Sequence, residues 1–342
     1  MIFDEVHHAG ARAAWGRAAQ EAFAAGAAGI LSLSGTPFRT GRDPIVFVPA
    51  EGGRARPRFR YSYDQAIDDR ACRPVQFVET RGTAIFRDPD GRERRMTFDE
   101  QLSLSGERQR LRAALEWIGP GSIAGKMLAD ASRYLVTLRQ QGDSDAAGLV
   151  VCADCDHAAA IAEYMTAHVT GRRPVVACSR LHDENDPAPA NAIRMFRGSH
   201  EPWIVAVNMV SEGVDIPRLR VVVYLTNRLT LLAFRQIVGR VVRNDPANLD
   251  DHGRVYIPAD PHLTAMARQV TDQVDLLPPP MIIQVDDDHA GRHPAAAGGG
   301  RDAGAPETLA TVGEQGTPST PAAALPKRCL CLVPELSSSA SA

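Results

Sequence analysis

Residues 219–243 read LRVVVYLTNRLTLLAFRQIVGRVVR, and this stretch decides the architecture. LRVVVYL is a short apolar run rich in β-branched residues, as expected of a strand covered on both faces. LLAFRQIVGRVVR then spaces its apolar residues at a helical period. A buried strand feeding a helix is one unit of a parallel sheet, and the alternation extends both ways. Upstream lie helix MLADASRYLVTLRQQ, strand GLVVCA, helix HAAAIAEYMTAHV, strand RPVVAC, helix NAIRMFRGS and strand WIVAVNM; strand RVYIPA follows. The series predicts a doubly wound α/β sheet, with ligands expected at the carboxyl ends of its strands.

A shorter strand, helix, strand pattern opens the chain: IFDEV, WGRAAQEAFAA, GILSLSG. Between the two patterns, polar and Arg-rich residues surround PVQFVETRGTAIFRDPDGRERRMTF, whose DPDG supplies the turn of an expected hairpin. After the prolines at 278–280 the composition collapses into Asp, Ala, Gly, Pro and Ser. Such a segment buries too little apolar surface to offset its ordering entropy, and 286–342 is expected to be disordered.

The 342 residues, 44% of them hydrophobic, suffice for two cores. A net charge of -3 gives no whole-molecule argument for nucleic acid, so any such surface must be a local patch. No apolar stretch approaches the roughly 20 residues of a membrane span, and the first residues lack a signal-peptide pattern. A cytoplasmic protein with no membrane partner is expected, its six cysteines reduced. Only Lys126 and Lys327 are lysine, which narrows any search for a phosphate-binding lysine.

Asp4 and Glu5 end an apolar run. Adjacent carboxylates at the carboxyl end of a strand suit phosphoryl transfer to water, one holding magnesium and the other orienting or deprotonating the water. In 231–243, Gln236, Gly239, Arg240 and Arg243 fall at i, i+3, i+4 and i+7, predicting one helical face that carries two arginines. Two such cations suit a transition state with charge spread over phosphoryl oxygens.

In order along the chain, DEVH (4–7), SGTPFR (34–39), SEGVDIP (211–217) and QIVGRVVR (236–243) resemble motifs II, III, V and VI of superfamily 2 helicases and translocases. YSYDQAIDDRACRP (61–74) is similar to the segment after motif III in the restriction-enzyme and phage-type DEAD/DEAH branch. The resemblance implies RecA-like parallel sheets with helices on both faces. It places the C-terminal part of a first ATPase domain at 1–56, a connector with a β-hairpin at 57–125, a complete second domain at 126–285 and the tail at 286–342. It further implies ATP and Mg2+ as cofactors, magnesium at Asp4, water activation at Glu5 and coupling through His7. Ser34 and Thr36 would link hydrolysis to nucleic-acid binding, Gly213 and Asp215 would approach the nucleotide, Gln236 would contact the first domain or nucleotide, and Arg240 and Arg243 would be arginine fingers. DNA is the implied substrate, in company with restriction, phage or repair partner subunits.

Helicases of this type carry GxxxxGK[ST] upstream of DExH, and only Met1, Ile2 and Phe3 precede Asp4. The internal stretch GPGSIAGKM has Met127 where a hydroxyl is needed and reads as a loop entering a helix. The chain therefore resembles the downstream part of a helicase cut inside its first domain, with hydrolysis expected to be lost and apolar strand edges exposed. A non-hydrolysing nucleic-acid- or partner-binding module built on the second domain is the alternative. RARPRFRYSY interleaves Arg54, Arg56, Arg58 and Arg60 with Phe59, Tyr61 and Tyr63, which fits nucleic-acid binding but better fits an exposed edge strand. Cys152, Cys155, Cys178 and His182 have zinc-ligand spacing, against the plainer reading of small cysteines finishing buried strands.

Overall fold

The computed structural model describes the chain except residues 5, 7–8, 11–13, 25, 36–43, 52–53, 57, 88–92, 179–188, 208–215, 244–251, 272–280, 285–307 and 313–342. Its N-terminal part is a small βαβ unit. Strand β1 (Ile2–Phe3) lies parallel to β2 (Leu31–Ser32), and helix α1 (Ala14–Phe23) connects them. Val6, Ala9, Ile45 and Val46 form a core of their own, against which Phe3 and Phe47 stack at 5.3 Å between ring centroids. Ile2, Trp15, Leu31 and Leu33 are exposed. A two-residue hairpin of β3 (Ala50–Glu51) and β4 (Arg54–Ala55) follows.

Helix α2 (Tyr63–Asp68) leads to β5 (Val75–Arg81), then the antiparallel pair β6 (Thr83–Arg87) and β7 (Glu93–Thr97) and helices α3 (Leu104–Glu116) and α4 (Ile123–Gln140). The βα series then runs β8 (Ala147–Cys152), α5 (Cys155–Met165) with a π-helical turn at Thr166–Thr170, β9 (Val175–Ala177), α6 (Pro189–Arg197) and β10 (Trp203–Val207). It continues with β11 (Leu219–Leu225), α7 (Leu231–Val238), β12 (Gly253–Pro258), α8 (Pro261–Thr271) and β13 (Met281–Gln284), and β14 (Thr308–Val312) comes last.

Seven strands form one all-parallel sheet in the order β13-β5-β12-β11-β8-β10-β9. Every residue of β8, β10, β11 and β12 is buried, so both faces of the sheet are covered by helices. Phe234 of α7 stacks on Phe77 of β5 at 5.8 Å and tilts against Tyr224 of β11 at 5.5 Å. This α/β arrangement, a parallel sheet covered by helices on both faces, is the doubly wound fold the βα series predicts.

Three expectations need amendment. The expected hairpin is β6 with β7, whereas β5, read as part of it, pairs with β12 and β13 inside the parallel sheet. Residues 58–62 do not continue β4 as an edge strand; Phe59 and Tyr61 are exposed, and the Tyr61 hydroxyl donates to Asp69 at 2.8 Å. Within the segment expected to be disordered, Thr308–Val312 pairs antiparallel with β6, while the remainder lies outside the described residues.

The cysteines also differ from expectation. Cys155, first residue of α5, and Cys178, just past β9, sit with Cα atoms 5.7 Å apart and form a disulfide. Their sulfurs bond to each other and not to zinc; Cys152 is buried with a free thiol, and His182 lies outside the described residues. Among the described residues no group of His, Cys, Asp and Glu is placed to hold a metal, and no helix is long and apolar enough to cross a membrane.

Close packing across the sheet centre is sharpest where Gly148 of β8 faces Trp203 of β10, its register partner. A Cβ on Gly148 would lie 2.2 Å from the indole ring of the fully buried Trp203. Gly148→Ala is expected to destabilise the protein by about 1–3 kcal/mol through overpacking, read as a lower denaturation midpoint with an unchanged slope.

Candidate functional site

Arg240 and Arg243 lie on the turn that leaves α7 at one edge of the large sheet, and Gln236 lies in the last turn of that helix. Thr230 caps α7, its hydroxyl accepting from the Ala233 amide, and the helix ends at Val238 with Gly239 as its C-cap. The four residues therefore do not share one helical face, as their spacing predicted. Arg240 and Val241 lie in turns, their amides donating to Ile237 and Val238 at 3.1 Å each, and Arg243 forms an antiparallel bridge with Cys72. Two features favour this exit: glycine is a poor helix continuer, and buried Val241 is drawn against Gly253, where a Cβ would meet the Val241 carbonyl at 2.7 Å. All three polar residues are half-buried.

This edge is the amino edge. Cys72 to Pro74 immediately precede β5, and His252 immediately precedes β12, whose first amide, Gly253, donates to the Pro74 carbonyl at 2.9 Å. The expectation of a site at the carboxyl ends thus fails for the arginines. Helix α7 starts at the carboxyl end of β11 and runs back, delivering its C-terminus to the opposite edge. At the carboxyl end lies a cleft of about 440 Å³ between α3 and the loop before α7, lined by Arg108, Arg112, Asn227 and Thr230.

Gly213 and Asp215 lie outside the described residues. The chain leaving them is held firmly at the same amino edge. The buried Arg218 guanidinium donates to the carbonyls of Phe196 (2.7 Å) and Glu201 (2.8 Å) and stacks on the Phe196 ring at 4.1 Å. Fully buried Arg220 donates to the Pro217 carbonyl at 2.9 Å, and its Nε lies 2.7 Å from Asp143 Oδ2. These anchors, absent from the sequence reading, carry no pattern beyond two arginines flanking Leu219.

In the small unit, Asp4 directly follows β1 and Ser34 follows β2 by one residue. Phe3 is in register with Ser32, the Leu33 amide donates to the Phe3 carbonyl at 2.8 Å, and the Val6 amide donates to Leu33 at 3.0 Å. Asp4 and Ser34 therefore end neighbouring parallel strands, with Asp4 exposed. Glu5, His7 and Thr36 lie outside the described residues. Gly125 and Lys126 sit inside α4: Ser122 caps it by accepting from the Gly125 amide at 2.8 Å, and Lys126 Nζ lies 3.2 Å from Asp130. This is a capped helix start, as the sequence predicts.

Residues 130–245 match the family model described as the helicase conserved C-terminal domain. That stretch of the chain, about a third of it, is thus similar to a helicase C-terminal domain. It is similar to an uncharacterized protein of Mycobacterium tuberculosis H37Rv, 37% identical over 272 residues, which make up 78% of this chain and 43% of that protein. An uncharacterized protein of Mycobacterium leprae is 35% identical over 278 residues, covering 80% of this chain and 45% of that one. The chain thus spans less than half the length of these relatives. Among solved structures, a fragment of a putative HsdR subunit of a type I restriction enzyme from Vibrio vulnificus is similar at 17% identity. Its TM-score is 0.48, over 74% of this chain and 43% of that one.

The amino edge is sensitive to pH through His252. Burial, with Arg254 and Arg73 beside it, pushes the His252 imidazole down to about 4. In the unfolded chain it titrates near 6.5. Between these values the unfolded state binds the extra proton, so stability falls as pH drops through 6.5 and levels off below about 4. The loss from this group is on the order of 3 kcal/mol. Urea unfolding at pH 7 and pH 4.5 checks it: the decline should shrink in His252→Gln, and an equal decline in both proteins would refute the assignment.

Proposed function

We propose that the chain is part of an ATP-dependent DNA helicase or translocase. The observation that carries this reading is the match of 130–245 to the helicase C-terminal domain together with the placement of Arg240 and Arg243 on the turn after α7, at one edge of its sheet. Half-buried arginines on a fixed turn can meet phosphoryl oxygens without reorganising, which is what charge stabilisation in phosphoryl transfer requires. Gly213 and Asp215, a few residues before the anchored Arg218 and Arg220 in sequence, would approach the nucleotide.

The N-terminal βαβ unit supplies the other half of the reading. Asp4, an exposed carboxylate ending a strand beside Ser34, fits a magnesium ligand; Glu5 next to it would take the proton of the attacking water, and His7, Ser34 and Thr36 would relay the nucleotide state. Magnesium bound with ATP there neutralises charge on the terminal phosphates. DNA is chosen over RNA on the likeness of residues 61–74 to the restriction-enzyme and phage-type branch, whose partner subunits are the expected company. The place of action is the cytoplasm.

A second reading is a module on the large sheet that binds nucleic acid without turnover. It is favoured by the one P-loop-like stretch being a capped helix start with Lys126 beside Asp130.

DNA-stimulated ATP hydrolysis by the 342-residue chain discriminates the two. Under the first reading Glu5→Gln abolishes turnover, and Arg243→Ala lowers kcat by roughly 1,000-fold while the protein still binds nucleotide. Because hydrolysis is expected to be lost in a fragment, absence of turnover leaves the choice to nucleotide binding: ATP affinity that falls in Arg243→Ala selects the first reading, and DNA binding without ATP affinity selects the second. Turnover indifferent to both substitutions overturns the site assignment.

A further inference from the structure

The segment at 61–74 does more than join two parts of the chain. Arg73 is among the largest fully buried side chains, at 1% exposure. Its backbone amide donates to the Val242 carbonyl at 2.6 Å, and its Nε donates to the Arg243 carbonyl at 2.7 Å. Cys72 is bridged antiparallel to the same Arg243. From the other side, the Tyr63 hydroxyl donates to the Arg73 carbonyl at 2.7 Å, and burial raises the affinity of that phenol for its proton. Pro74 in turn accepts from Gly253, fixing the segment to the start of β12.

The local chain is shaped for this contact. Ser62 and Gln65 form a capping box at the start of α2. At its end Arg70 takes φ 57°, a left-handed conformation that costs a non-glycine residue of the order of 1 kcal/mol. The amides of Ala71 and Cys72 then both donate to the Ala66 carbonyl, turning the chain back toward Val242 and Arg243. On the receiving side, α7 has already ended, and the backbone beyond Gly239 continues through the turns at Arg240 and Val241 instead of a helical ladder.

We propose that Arg73, braced by Tyr63, is a positioning residue for the arginine pair: it fixes the backbone of Val242 and Arg243 and so sets where the Arg243 guanidinium points. Lysine cannot replace it, because the donor to Arg243 is an Nε–H set within the side chain and not a terminal ammonium. The proposal rests on the reading of Arg240 and Arg243 as phosphate-facing, but its structural half stands apart from catalysis and is tested apart from it.

The test compares Tyr63→Phe, Arg73→Lys and Arg73→Met with the unmodified 342-residue chain by amide hydrogen exchange. Exchange in peptides covering 239–243 is expected to quicken about tenfold or more in both Arg73 variants and less in Tyr63→Phe, with peptides of β8 and β10 unchanged. Unchanged exchange at 239–243, or equal loss of protection across the whole sheet in the mild Tyr63→Phe variant, overturns the proposal. Should the Arg73 variants fail to fold, Tyr63→Phe still decides it. Where the unmodified chain turns over ATP, kcat should fall roughly ten- to hundredfold in Arg73→Lys with KM for ATP nearly constant, the pattern of a misplaced group. An unchanged kcat despite the exchange effect removes the catalytic half. Where the unmodified chain does not turn over ATP, as expected of a fragment, positioning is decided by the exchange result alone.

Discussion

The pairing of Cys72 and Arg73 with Val242 and Arg243 is the constraint from which the amino edge of the large sheet takes its shape. Helix α7 is short, and its last residues could leave Gly239 in many directions. The pairing selects one, and the burial of Val241 against Gly253 closes the gap that remains. Once that exit is fixed, Pro74 and Gly253 start β5 and β12 side by side in parallel register. A small number of backbone hydrogen bonds thereby sets both the strand order at this side of the sheet and the place of the arginines.

Buried arginines recur wherever this edge needs a cross-link. Arg73, Arg218 and Arg220 send their guanidinium groups to backbone carbonyls, and Arg254 lies over the Tyr134 ring at 3.7 Å, while on the carboxyl side Arg110 donates to the carbonyls of Thr97 and Glu100. Burying a cation is costly unless its donors are used. A planar fork serving carbonyls that strand starts and turns would otherwise leave unpaired meets that condition, at about 1.5–3 kcal/mol per charged hydrogen bond. Burial first, and then Arg254 and Arg73, hold the proton affinity of the neighbouring His252 down, so the edge is held by permanent charges in preference to a titrating one.

Much of this is legible in the sequence. The strands β8, β10, β11 and β12 are buried on both faces, and a residue run such as LVVC or VVVYL has no other stable use. β5 escapes that reading because VQFVETR mixes polar residues into a short apolar run and sits in an Arg-rich stretch. Only its partner β12, far along the chain, reveals it as a sheet strand. The helical face drawn through Gln236, Gly239, Arg240 and Arg243 fails at the glycine, where spacing says nothing about whether a helix continues. The move of the arginines to the amino edge has a similar cause. Residue types mark them as candidates, but their edge depends on the direction of the helix that carries them. Cysteine spacing of the zinc type is likewise silent on which sulfurs meet, because that depends on α5 starting beside the end of β9.

Arg73 and Arg243 are 170 residues apart in sequence, and β5 lies between β12 and β13, both of which follow it by a similar distance. On a ribosome adding about 5–20 residues per second, the segment 61–81 emerges on the order of ten to thirty seconds before its partners exist. During that interval β5 has neither neighbour. The strand order at this side of the sheet can therefore be completed only after β12, and then β13, have been made.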